Sequence, residues 1–216
     1  QRIKTRAECR HQLQSFHTIV NPPRNSRMPF AICSVWDRMA CLAWENGADW
    51  VVLLGDDVEV KCQYHYRAIY RSFLDISEQL EVEFGFGCPW WNDESFPGFP
   101  SFPCVGKTHH GMFGGLVPKH RYSRFVNQDL DPYLHQLYLK FKASPCVADA
   151  VLVNEKGGDI GASLPTASKP RYERIPAKGW RDFFLDDLQP IRDYLDLKQN
   201  HRETTEALLV DVIVPS

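Results

Sequence analysis

No apolar run in this chain approaches the roughly 20 residues that a helix needs to cross a bilayer, and the opening stretch QRIKTRAECRH has no apolar centre of the kind a signal peptide carries. The expectation is a soluble chain without a membrane span. Its first residue is Gln1, not Met, which reads as a piece of a longer protein. There is no CxxC pair and no regular cysteine spacing. The 7 cysteines stand at 9, 33, 41, 62, 88, 104 and 146. Zinc sites and disulfide frameworks announce themselves by spacing, so these read as reduced thiols, several in the core, and point to a reducing, cytoplasmic setting. Neither sign of charge dominates: 25 basic and 27 acidic side chains leave a net charge of −2. The global field that recruits nucleic acid or an anionic membrane is therefore missing. Repeats and low-complexity tracts are absent, and 216 residues suit one α/β domain with a sizeable core.

What is present is organised around Asp49 to Val60, DWVVLLGDDVEV. Trp50 to Leu54 is an uninterrupted apolar run, the pattern of a strand buried on both faces. Gly55 then permits a turn, and Asp56, Asp57 and Glu59 follow. If the strand is parallel, its carboxyl end is where open α/β sheets bind ligands. Hard carboxylate oxygens on a tight stretch suit Mg²⁺ or Mn²⁺, with a diphosphate supplying further ligands. The alternative is a solvated acidic turn.

Around this stretch helices and strands alternate, the pattern of α/β architecture. Upstream, Thr18 to Val20 reads as a short strand closed by Asn21-Pro22-Pro23. Ile32, Val35, Trp36, Met39, Ala40 and Ala43 have helical spacing, with Asn46-Gly47 as the stop. Downstream, Tyr66, Ile69, Phe73, Ile76 and Leu80 predict a second helix, and Glu81 to Gly87 a strand with Val82, Phe84 and Phe86 on one face. Cys88 to Cys104 holds four prolines, an acidic pair and the adjacent Trp90 and Trp91, and reads as a long ordered loop. Its tryptophans either stack on a sugar or base or cover the core. Gly114 and Gly115 allow close backbone approach to a ligand. His109 and His110 lack a third ligand at a telling distance, so hydrogen-bonding or surface roles are favoured over metal binding. Asp131-Pro132 opens a helix with Tyr133, Leu134, Leu137 and Phe141 on its apolar face. Residues 154–179 read as loop, with Lys169, Arg171, Arg174 and Lys178 as a basic cluster. Trp180 to Leu197 resumes a helical pattern with Pro190 expected to kink it.

The order of buried strand, Asp-Asp, loop, Gly-Gly, helix and Asp, over about residues 18–180, resembles GT-A fold glycosyltransferases of the large inverting class, family 2-like. The resemblance implies a Rossmann-like α/β fold with a mixed, mainly parallel sheet flanked by helices. It also implies a nucleotide-diphosphate sugar as donor and Mn²⁺ or Mg²⁺ as cofactor. By that alignment Asp57 matches the last acid of the metal-binding Asp-x-Asp motif and Asp56 lies near the sugar or ribose. Gly55 stands where the first acid belongs, a departure from the pattern. Arg24, Asn25 and Arg27 match the residues that hold the nucleotide, although Asn25 or Ser26 reads equally as a helix cap. Gly114 and Gly115 line the acceptor side of the sugar pocket. Asp149 matches the catalytic base, with Ala148 in place of a preceding acid; on local pattern alone it is also a cap. The Lys169 and Arg171 cluster closes over the leaving diphosphate or is simply a solvated loop. The acceptor, whether carbohydrate, lipid or protein, is not indicated.

Leu208 to Pro215, LLVDVIVP, reads as a buried strand. The expectation is a GT-A-like domain over residues 1–206, with 207–216 either completing its sheet or opening a following module. Two other function classes remain. One is a degenerate, non-catalytic GT-A-like binding module, which Gly55 and Ala148 favour; the other is a nucleotidyltransferase, which lacks here its Gly-rich, Lys/Arg-containing loop.

Overall fold

The computed structural model describes residues 31–55, 58–118, 130–154 and 180–213. The expectations on Thr18 to Val20, on the nucleotide-side residues 24–27, on Asp56-Asp57 and on the loop 155–179 lie outside them. Helix α1, Ala31–Glu45, and helix α2, His65–Leu80, form where helical spacing predicts them. The buried face of α1 is nevertheless rotated from the predicted one: Cys33, Asp37, Ala40 and Trp44 point inward, while Met39 is exposed. The rotation follows from two fixed contacts. Asp37 Oδ1 accepts the Leu116 amide at 2.6 Å, and the Trp44 ring stacks on His110 at 5.1 Å. On α2, Ile69, Phe73 and Ile76 are buried at i, i+4 and i+7.

The fold is mixed α/β, with helices around two small sheets and no closed barrel among the described residues. Strand β1, Trp50–Val52, pairs antiparallel with β4, Cys104–Gly106. The second sheet has the order β2, β5, β3: β2 is Val58–Val60, β5 is Cys146–Asn154 and β3 is Trp90–Asp93. β5 is antiparallel to β2 and parallel to β3. Among the described residues a mainly parallel sheet is thus not seen, since two of the three pairings are antiparallel. Nor is β1 buried on both faces: Trp50, Val51 and Val52 are all half-buried, and the strand stops at Val52.

Two cores result. One lies between α2 and the β5-centred sheet, where Ile69, Phe73, Trp91, Val147, Ala150 and Leu152 are buried. Each such large side chain contributes about 1.5–3 kcal/mol by leaving water. The other is built on α1, on α4 (Leu130–Leu139) and on α6 (Gln189–Ile213), with α3 (Lys107–Phe113) and the short α5 (Phe184–Asp187) beside them. Trp44, Leu116, Tyr133, Leu134, Leu137, Tyr138 and Ile191 fill it. No helix among the described residues is long and apolar enough to cross a membrane.

Four local readings are corrected. Glu81 to Gly87 is a chain of turns and not a strand. Glu81 caps α2 in the left-handed region at φ 54°, its amide donating to Ser77 O, and Gly85 and Gly87 follow at φ 89° and 111°. Such dihedrals cannot carry a ladder; Val82 and Phe86 bury themselves from a turn instead. The Pro-rich stretch conceals β3 at its start. Finally, α6 continues through Ile213, so Leu208 to Ile213 is helix where a strand is expected. Glu206, Ala207, Leu208 and Leu209 are good helix formers that extend a helix already begun, and extension costs far less than nucleation. Pro190 lies in the first turn of α6, where its missing N–H has no helical partner to lose, so it opens a helix and does not kink one.

Gly87 tests the turn reading. A Cβ there would lie 2.8 Å from Ala143 O and 2.9 Å from Ile76 Cδ1 at a φ that L-residues avoid. Gly87→Ala should cost about 1–3 kcal/mol in urea-induced unfolding. Gly111→Ala, in open space on α3, should be neutral or gain up to about 1 kcal/mol. Equal midpoints for the two variants would contradict this account.

Candidate functional site

The strand ends place the candidate site. In the β5-centred sheet, Val58 is paired with Asn154, and Asp93 with Leu152. The start of β2 at Val58 therefore lies at the same end of the sheet as the end of β5 at Asn154 and the end of β3 at Asp93. For the parallel pair β3 and β5, this is the carboxyl end, the place where ligands bind in open α/β sheets.

Asp93 and Asn154 were not recognisable as site residues from the sequence. Both are buried, at 1% and 4% exposure, and both project from the face that packs against α2. That common face follows from the alternation Trp91, Asp93 on β3 and Leu152, Asn154 on β5. Ser95 ties them together. Its amide donates to Asp93 Oδ1 at 2.9 Å, its hydroxyl donates to Asn154 O at 3.2 Å, and the Asn154 amide donates back to Ser95 Oγ at 3.0 Å. Asp93 Oδ2 and Asn154 Oδ1 have no hydrogen-bond partner among the described residues. The signal available in sequence was that a buried strand, Val151-Leu152-Val153, ends on a polar side chain, as the Trp50 to Leu54 run ends before Asp56.

The other predicted residues are spread out. Asp149 is exposed and lies within β5, not beyond its end. It falls where the pairing with β3 jumps from Trp91↔Val147 to Asn92↔Val151, so Ala148, Asp149 and Ala150 stand in a register break. Such breaks re-aim side chains and are frequent beside active sites. Trp91 is core, 1% exposed, with His65 against its ring at 5.1 Å. Trp90 is half-buried at the opposite, amino end of β3, about 10 Å away by strand rise. Its Nε1 donates to Ser144 O at 3.2 Å. Gly114 ends α3 at φ 72°, and the close approach at Gly115 is to the Asp37 carboxylate on α1. Asp56, Asp57, Arg24, Asn25, Arg27, Lys169 and Arg171 lie outside the described residues.

Two histidine arrangements are excluded from the chemistry by their hydrogen bonds. His109 is fully buried, with Nδ1 2.8 Å from Tyr138 Oη and Nε2 3.0 Å from Leu116 O. Both nitrogens are engaged, so the ring has no lone pair to offer a metal. Ser144 donates its hydroxyl hydrogen to Cys88 O at 2.7 Å, so His135 Nδ1, 2.8 Å away, is the donor to Ser144 Oγ. That proton flow is the reverse of an activated serine nucleophile. Among the described residues no three His, Cys, Asp or Glu side chains are placed to hold a metal. The cysteines at 33, 41, 62, 88, 104 and 146 are thiols outside any disulfide, and burial pushes Cys88 and Cys104 up.

Comparison with protein-family models, curated proteins and solved structures finds no match for the chain.

Burial of His109 lowers its pKa from 6.5 to about 4, with the Leu116 carbonyl partly opposing and His110 adding to the shift. The unfolded chain therefore binds a proton that the folded chain refuses between those values. Stability from this residue is complete above about pH 6.5 and falls as pH drops toward 4. Denaturant unfolding at pH 7.5 and 5 should show that loss, and His109→Gln should reduce the pH difference while lowering stability at both.

Proposed function

We propose that the chain is a GT-A-like domain that transfers a sugar from a nucleotide-diphosphate sugar to an acceptor hydroxyl, with Mn²⁺ or Mg²⁺ and with inversion at the anomeric carbon. One observation supports it above the rest: the register that brings the start of β2 at Val58, the end of β5 at Asn154 and the buried Asp93 to one end of one sheet. In this reading Asp57, helped by Asp56, holds the cation, and Arg24, Asn25 and Arg27 hold the nucleotide. The cation, when bound, offsets charge on the diphosphate. Asp149 accepts the proton of the acceptor hydroxyl as its oxygen bonds the anomeric carbon. The bond to the diphosphate oxygen breaks with its electron pair, and the basic loop neutralises the leaving group.

The exposure of Asp149 and its place within β5 favour a second reading, in which the domain binds a nucleotide sugar without turning it over. Calorimetry with uridine and guanosine diphosphate sugars, with Mn²⁺ and with chelator, tests what the two readings share. Asp57→Asn should abolish the Mn²⁺-dependent part of binding with the fold intact. Unchanged affinity would sink the metal assignment. Asp149→Asn should keep donor binding and lower donor hydrolysis or transfer by about a hundredfold or more if it is the base. Firm binding with no turnover in the parent chain would select the binding module.

A further inference from the structure

The first turns of α2 display aromatic rings to water instead of burying them. Tyr64, Tyr66 and Tyr70 are 60%, 47% and 48% exposed, although the same helix buries Ile69 and Phe73 completely. Their rings form one surface. The Arg67 guanidinium lies 5.1 Å from the Tyr64 ring centre and 5.7 Å from that of Tyr66, and Tyr70 packs at 4.9 Å on half-buried Phe84. One helical turn separates Tyr66 from Tyr70, so the rings follow one another along the flank of α2. Arg67 is held at both ends: its amide donates to Tyr64 O at 2.9 Å and its Nε to Tyr66 Oη at 3.1 Å. Its charge is nevertheless uncompensated. Arg71, the next cation on the helix, pairs with Asp75 at 2.8 Å and Glu78 at 3.7 Å, and Lys61 pairs with Glu59 at 2.6 Å. No carboxylate among the described residues pairs with Arg67.

We propose that this face binds an acidic oligosaccharide, with sugar rings against Tyr64, Tyr66 and Tyr70 and a carboxylate on Arg67. Charge complementarity selects the anionic group. With Nε engaged by Tyr66, the terminal N–H groups of the guanidinium remain to take a carboxylate in paired hydrogen bonds. Stacking selects the ring: a flat apolar face with a hydroxyl at its tip matches a pyranose, which carries C–H groups on its faces and hydroxyls around its rim. Other occupants fit less well. A peptide docks in a groove or along a free strand edge, whereas a helix flank is convex. Nucleic acid needs several phosphate contacts, and Arg67 stands alone between paired cations. Because Arg67 and Tyr66 already hold each other, little side-chain freedom is lost on binding. α2 packs through Ile69 and Phe73 on the β5-centred sheet, so the face is fixed to the sheet that carries the candidate site. The choice of a saccharide rests on the sugar-transfer reading above, and it gives the acceptor of that reading a chemical class.

The test uses the full chain, without nucleotide or metal, and calorimetry with an oligogalacturonate against a neutral galactose oligomer of the same length. The acidic oligomer should bind about tenfold more tightly than the neutral one, and that advantage should shrink as salt is raised. Tyr64→Ala and Tyr66→Ala should each weaken it about threefold to tenfold. Arg67→Ala should bring the acidic oligomer down to the affinity of the neutral one. Arg71→Ala, which removes a cation already paired with Asp75 and Glu78, should change nothing. The replaced side chains are exposed, so melting temperatures should match that of the parent; if Tyr66→Ala melts lower, Tyr64→Ala decides, since Tyr64 precedes the helix at its cap. Parent affinity retained in Arg67→Ala or in Tyr64→Ala overturns the inference. Equal binding of the two oligomers by the parent, or binding of neither, does so as well. Two further results overturn it by naming another occupant. Polyglutamate that binds more tightly than the oligogalacturonate and is lost in Arg67→Ala points to an acidic peptide; a parent that sediments as a dimer and a Tyr66→Ala variant that sediments as a monomer point to a second copy of the chain. The sugar-transfer reading fails separately, if nucleotide sugars do not bind with or without Mn²⁺. It survives the loss of this inference if they bind while the tyrosine face takes neither oligomer.

Discussion

Strand β5 is the constraint on which the rest depends. It is nine residues long, against three in β2 and four in β3, and it is the only strand among the described residues with a partner on each side. Its alternation sends Leu152 toward α2, where Ile69 and Phe73 answer it. A slip of one residue would turn Leu152 and Asn154 outward together and expose Val153 to the core instead. The same register sets which end of β2 and which end of β3 meet. Apolar burial on one face thus decides the placement of the polar groups at the end of the sheet.

The helices were legible because their signal is long. Fifteen and sixteen residues of repeated spacing define α1 and α2, and a period of 3.6 over that length is hard to imitate. The strands are three or four residues long apart from β5, too short for alternation to be distinctive. Trp90 to Asp93 is a strand wrapped in prolines, whereas Glu81 to Gly87 alternates well but contains two glycines that take positive φ. Leu208 to Ile213 shows the other weakness of apolar runs, which look alike in a strand and in the continuation of a helix. Even for α1 the spacing identified the helix but not its inward face, since Asp37 and its bond to Leu116 belong to tertiary structure.

The candidate site was legible in part and for a definite reason. A carboxylate after an apolar run is visible in one dimension, so Asp56 and Asp57 stand out. Asp93 and Asn154 are 61 positions apart, and only the parallel pairing of β3 with β5 brings them to one place. Ser95 acquires its role only there, as the link between two strands. Conversely, Trp91 looked like a binding platform from its composition and is consumed by the core, which burial alone reveals.

The thiols give the molecule a built-in record of its own breathing. Cys146 opens β5 at the surface, where partial burial still pushes its thiol up, whereas Cys88 and Cys104 are fully buried at the two ends of the Pro-rich stretch and burial pushes their thiols up as well. Alkylation requires the thiolate and access to it, so Cys146 reacts from the folded state while the other two wait for a local or global opening. The lag between them measures the free energy of that opening. If Cys88 and Cys104 become reactive together, the stretch between them detaches as one unit; if Cys104 follows the loss of β1 instead, the boundary between cooperative units runs through this segment and the two sheets unfold separately.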